Sequence, residues 1–120
     1  MSLRISVRKS GTVTILDLMG CITFGAAADA FKAQLREIAE SAERDVIVNF
    51  AEVSQIDSSG VGALVQSYVS LTRGGGTLIV INPVGNVREV FEVTHLNRTI
   101  ATYADEAAAL ASLRSTSAGA

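Results

Sequence analysis

The feature that most limits the possible folds of this chain is a recurring change of hydrophobic period. Two short apolar, β-branched runs, "DVIVNF" at 45–50 and "TLIVI" at 77–81, are each followed by a segment whose apolar residues step by three and four. The first kind of run suits a strand buried on both faces, and the second pattern suits one face of a helix. Strands and helices alternating this closely form βαβ units, whose right-handed crossovers make neighbouring strands parallel.

Ahead of the first unit, "LRISVR" sets Leu3, Ile5 and Val7 against Arg4, Ser6 and Arg8, and "TVTILDLMG" resumes alternation after the turn residues "KSG". Residues 3–19 therefore read as a β-hairpin. Ala28, Phe31, Leu35, Ile38 and Ala42 make the stripe of a first helix. Val61, Leu64, Val65, Tyr68 and Leu71 make that of a second, closed by Gly74, Gly75 and Gly76. "AEVSQ" reads as a loop. Asn82 is expected to cap, and Pro83 to open, a third helix carrying Val84, Val87, Val90 and Phe91. "RTIATY" supplies a last short strand, and Asp105 caps the helix "EAAALASL". The predicted class is α/β: a mixed sheet of about five strands packed against about four helices, opening with a β-hairpin. Residues 1–114 form one domain, and 115–120 are expected to be a disordered tail.

Composition narrows the function. A chain of 120 residues can hold one core without metal or disulfide staples. A net charge of −2 argues against a basic nucleic-acid surface, and aromatic residues at 5% with no tryptophan argue against base or sugar stacking. No apolar run is long enough to span a membrane, and the alternating N-terminus is not a signal peptide. Cys21 has no Cys or His partner at metal-ligand spacing, and it reads as a small, partly buried hydrophobe. The expectation is a cytoplasmic domain with no metal and no cofactor.

The segment "SQIDSSGVGAL" at 54–64 puts Asp57, Ser58 and Ser59 at the start of the second helix. Capping explains part of this: helices leave their first N–H groups unpaired, and one Asp or Ser oxygen contributes about 1 kcal/mol by accepting from them. Three candidate caps in succession exceed that need. They follow a buried strand, where α/β sheets carry functional loops. Gly60 and Gly62 sit in the first turn at a helix-propensity cost of up to roughly 1 kcal/mol each. They permit close approach of another surface, or tight packing against the sheet.

With these residues the chain resembles the STAS domains, in particular the bacterial anti-sigma factor antagonists. The resemblance is carried by "VIVNFAEVSQIDSSGVGALV", by "RGGGTLIVINPVGNVREVFEVTHLNRTI" and by the helical ending "DEAAALASL", and it covers about residues 5–113. It implies a phosphorylation switch at Ser58. In such proteins the unmodified antagonist binds a partner that is both anti-sigma factor and serine kinase, freeing the sigma factor in programmes such as sporulation or stress response. Phosphorylation releases the antagonist, and a serine phosphatase resets it. Asp57 then caps the helix and orients the hydroxyl. Ser59 is read as a second capping hydroxyl. Asp57, Ser58, Ser59, Gly60, Val61, Gly62, Thr23 and Phe24 make up the expected partner-binding surface, with no catalytic residue, no direct nucleic-acid contact and either a monomer or a homodimer.

One loop departs from the family pattern. Many antagonists carry Gly-Glu-Leu-Asp after the second strand, whereas "GCITFGAAADAF" keeps Gly20 and has Cys21 and Thr23 in place of the acids. Thr23 reads as a cap for the first helix. Phe24 reads as buried packing, or as a contact if exposed. The alternative within the same fold is a non-catalytic accessory subunit of a lipid-transport ABC complex, or a scaffold in a stress-sensing assembly. Serine hydrolysis is disfavoured: "DSSGVG" is not a Gly-x-Ser-x-Gly elbow, and His95 reads as a residue near a helix C-terminus. "RGGGT" follows a helix and precedes a strand, the reverse of a phosphate-binding loop.

Overall fold

The structure is a computed structural model that describes residues 2–42 and 44–119, with side chains described as far as Arg114. The chain runs β1 (Leu3–Ser10), β2 (Val13–Ile22), α1 (Ala26–Ala39), β3 (Asp45–Ile56), α2 (Ser58–Arg73) and β4 (Thr77–Ile81). It continues through α3 (Gly85–Val93), α4 (Leu96–Thr99), β5 (Thr102–Tyr103) and α5 (Glu106–Gly119). The strands form a sheet in the order β1-β2-β3-β4-β5. β1 and β2 pair antiparallel as the opening hairpin, and every later pair is parallel.

β3 is apolar on both faces because helices cover both. Val46, Val48 and Phe50 join the larger core with Phe31 and Leu35 of α1, Leu64 and Leu71 of α2, and Val87 and Phe91 of α3. Ile47 faces the other way, into a smaller cluster with Ile15, Ile79, Ile81 and Ala109 of α5. Phe50 and Phe91 meet edge to face with ring centroids 5.4 Å apart, a favoured aromatic geometry. Asp105 caps α5 as expected, its Oδ1 accepting the Ala108 N–H at 2.8 Å. α5 is helical in its backbone to Gly119, and the expected 115–120 tail falls on side chains and on Ala120, which lie outside the described residues.

Four local expectations are corrected. "AEVSQ" is the second half of β3, pairing with β2 up to Ile22↔Ile56 across register shifts between Asp17 and Met19 and between Gly20 and Cys21. Those bulges break the two-residue period that would have betrayed the strand. Asn82 does not cap α3. It adopts φ 57°, tolerated by asparagine, and its Nδ2 donates to Asn49 Oδ1 at 3.1 Å; α3 starts only at Gly85 after Val84. Arg98 and Thr99, expected to open the last strand, instead end the short α4, and the strand is confined to Thr102–Tyr103. His95 stands outside α3, at φ 59° in the corner between α3 and α4.

A polar line crosses the α5 side of the sheet. Arg8 bridges Asp17 of β2 and Glu106 at the start of α5, and Asn49 Nδ2 donates to Asp17 Oδ1 at 2.8 Å. Asp17 is held below the ordinary carboxylate value, chiefly by the Arg8 hydrogen bond.

Candidate functional site

β2, β3 and β4 run parallel, so the loops after them open at one end of the molecule. The central loop is the shortest: β3 ends at Ile56 and α2 begins at Ser58, leaving Asp57 alone as N-cap. Asp57 Oδ1 accepts the N–H groups of Ser59 at 3.0 Å and Gly60 at 3.3 Å. Its Oδ2 accepts the N–H of Phe24 at 2.9 Å, tying the β2–α1 loop to the head of α2. The Asp57 N–H in turn donates to the Ile22 carbonyl at 3.2 Å. From the first turn of α3, Asn86 Oδ1 accepts the Ile56 N–H at 3.1 Å. One carboxylate thus ties the β2–α1 loop to the head of α2, and one carboxamide ties the head of α3 to the end of β3. The Asp57 pKa is lowered, chiefly by the Phe24 N–H; desolvation, the next-largest effect, opposes this, and the N–H groups of Gly60 and Ser59 add to the lowering.

This division of labour leaves Ser58 free. It is the first residue of α2, it is exposed, and its hydroxyl makes no hydrogen bond among the described residues. Ser59 is half-buried and contributes its backbone N–H, not a capping hydroxyl, so the expected second cap is corrected. Thr23 likewise does not cap α1 through its side chain: the N-cap position is Gly25, and Thr23 instead offers its carbonyl to the Ala28 N–H at 3.1 Å. Cys21 is buried, with Sγ 3.3 Å from the Ser54 hydroxyl.

The two glycines of the motif do different things. A Cβ on Gly60 would lie 2.7 Å from both the Ile22 carbonyl and Ile56 Cγ1, so Gly60 is buried and lets α2 press onto the sheet. A Cβ on Gly62 would meet nothing within 4 Å, so Gly62 faces open space. Val61 is partly buried against the core. Phe24 is 86% exposed, which corrects the expectation of buried packing. Sequence reasoning also missed Asn86, because an asparagine inside a predicted helix carries no signal that it serves a neighbouring strand end.

Between α1 and α2 these residues border a cleft of about 340 Å³, lined by Phe24, Asp29, Lys32, Ser58, Gly62 and Gln66 among others. The lining contains no imidazole, and the Asp57 carboxylate is committed to three N–H groups. Ser58 therefore has neither of these as a base to activate it as a nucleophile. Among the described residues no cluster of His, Cys, Asp and Glu could hold a metal ion, and no helix is long and apolar enough to cross a membrane.

The profile of the STAS domain family matches residues 4–109. The chain belongs to the STAS domain family. The fold of this STAS domain is shared with TM1081 of Thermotoga maritima, at TM-score 0.86 and 22% identity over 92% of this chain and 94% of the other. An anti-sigma factor antagonist from Mycobacterium paratuberculosis superposes at TM-score 0.83 with 19% identity, covering 94% and 95% of the two chains. The Bacillus cell fate determinant SpoIIAA in its phosphorylated form superposes at TM-score 0.72 with 24% identity, covering 92% and 99%. At such identities the likeness concerns the fold.

Proposed function

We propose that this STAS domain is an anti-sigma factor antagonist that works by partner switching. Its unmodified form binds an anti-sigma factor that is also a serine kinase, through the surface around Ser58, Gly62, Thr23 and Phe24. Phosphorylation of Ser58 ends that binding, and a serine phosphatase restores it. The domain acts as a non-catalytic regulator in the cytoplasm, through protein contacts and without touching nucleic acid.

The observation that carries this reading is the free, exposed hydroxyl of Ser58 at the first position of α2, beside a carboxylate that already does the capping. Phosphate adds about −1.5 to −2 charges. At a helix N-terminus that charge is tolerated by the dipole, so the fold survives modification. A partner docked on the same face meets a bulky dianion beside Asp57. A loss of about 4 kcal/mol there weakens binding roughly a thousandfold. The anti-sigma factor antagonists among the structural neighbours, one of them in a phosphorylated form, support the reading.

Intact-protein mass spectrometry on material from the native host tests it, with phosphatase-treated and Ser58→Ala samples alongside. One phosphate that disappears with either treatment is the expected result. Its absence under every growth condition would favour instead an accessory or scaffold role, such as a subunit of a lipid-transport ABC complex, with Ser58 as an ordinary helix residue.

A further inference from the structure

Asp57 already occupies the Ser59 and Gly60 N–H groups, so a phosphate on Ser58 cannot take them without displacing the cap. The helix dipole still favours a dianion there, but with those donors taken its direct partner would come from outside α2. The cleft beside Ser58 holds one cation, Lys32 of α1, together with the carboxylate of Asp29 one turn earlier. Lys32 is exposed and makes no hydrogen bond or ion pair among the described residues. Side chains on a helix lean toward its N-terminus. On α1 that direction leads to Phe24, whose N–H is held by Asp57. Gly62 lines the same cleft, and there α2 presents no side chain and leaves open space.

We propose that Lys32 receives the phosphate once Ser58 carries it, bridging α1 and α2 across Gly62; this rests on Ser58 being the modified residue. The Lys32 stem then fills the space above Gly62 that the unmodified surface leaves open. Modification thus alters the docking surface twice, by adding negative charge and by drawing a side chain over the cleft. The charged groups facing the phosphate are Asp57 on its own helix and Asp29 and Lys32 on α1.

Phosphoserine placed at position 58 by genetic-code expansion makes the test independent of any kinase. Phosphorus NMR then follows the second ionisation of the phosphate, near pH 6, in otherwise wild-type protein and in Lys32→Gln, Lys32→Arg and Arg36→Gln backgrounds. The expected midpoint is about half a pH unit higher in Lys32→Gln than in wild type. Lys32→Arg keeps the wild-type midpoint, and so does Arg36→Gln, one turn farther along α1. A Lys32→Gln midpoint equal to wild type overturns the proposal, as does an equal displacement by Arg36→Gln. Lack of phosphate on Ser58 in the native host bears on the switch itself and leaves this titration unaffected.

Discussion

Asp57 and Phe24 are joined across two loops: one oxygen of the Asp57 carboxylate accepts the Phe24 N–H at 2.9 Å while the other caps α2. The bond sets an exposed aromatic ring beside an exposed hydroxyl, with neither side chain spent on holding the backbone.

Asp57→Asn tests what that carboxylate contributes. The folded protein holds its pKa below the ordinary 3.8. Its stabilisation is therefore complete above about pH 3.8 and is lost as pH falls through the lower folded value. The asparagine keeps one oxygen, enough for the α2 N–H groups or for that of Phe24 but not for both, and loses the charge. Its urea midpoint should fall below wild type at neutral pH, and the gap should narrow under acid conditions. A gap independent of pH would show that charge plays no part.

Gly60 and Gly62, two residues apart on α2, should respond in opposite directions to alanine. Gly60→Ala forces a methyl group against the Ile22 carbonyl and Ile56, and overpacking of this kind costs about 1–3 kcal/mol. Gly62→Ala enters open space and should stabilise the helix by up to about 1 kcal/mol while crowding the docking surface. Urea unfolding of both variants checks the signs. Two destabilised proteins would contradict the open space at Gly62.

The contrast shows how far this site could be read from sequence. Asp57 as cap and Ser58 at a helix start were legible because capping chemistry is local. The alternation of strand and helix periods likewise made the sheet and its opening hairpin legible. Which glycine touches the sheet depends on Ile22, more than thirty residues away, so no local pattern carries it. Asn82 was misassigned for the same reason: an Asn-Pro pair matches a helix start, but Asn49 on the adjacent strand takes its side chain. For Phe24 the residue type leaves buried packing and exposed contact both open, and its 86% exposure decides for the second.

Phe24→Ser should separate docking from folding. The ring is 86% exposed, so thermal stability should remain at the wild-type level. Removal of a central aromatic contact from an interface typically costs about 2 kcal/mol or more, roughly a thirtyfold weaker complex. Calorimetric titration against the anti-sigma partner reads that loss. Unchanged affinity would move the interface away from the β2–α1 loop.

Arg8→Met should loosen α5 while leaving the site intact. Arg8 is half-exposed and bridges Asp17 and Glu106, so the loss is expected at no more than about 1 kcal/mol and should shrink with added salt. The Asp17 pKa, lowered chiefly by Arg8, should rise toward 3.8 in the variant. Carboxyl NMR titration and faster amide exchange in α5 check the two effects separately.

Substitutions at Ser58 bring the switch itself under test. Ser58→Ala removes an exposed hydroxyl that bonds to nothing described and leaves the Asp57 cap in place. It should fold as wild type and remain in complex with the kinase partner under phosphorylating conditions. Ser58→Glu puts a carboxylate at the first position of a helix, where the dipole favours it. Its stability should equal or slightly exceed that of wild type, while affinity for the partner falls at least tenfold. Together the variants separate folding from docking at one position, because a negative charge there suits the helix and opposes the partner. Tight binding by a well-folded Ser58→Glu protein would mean that charge at this position does not control release, and the partner-switching reading would fail.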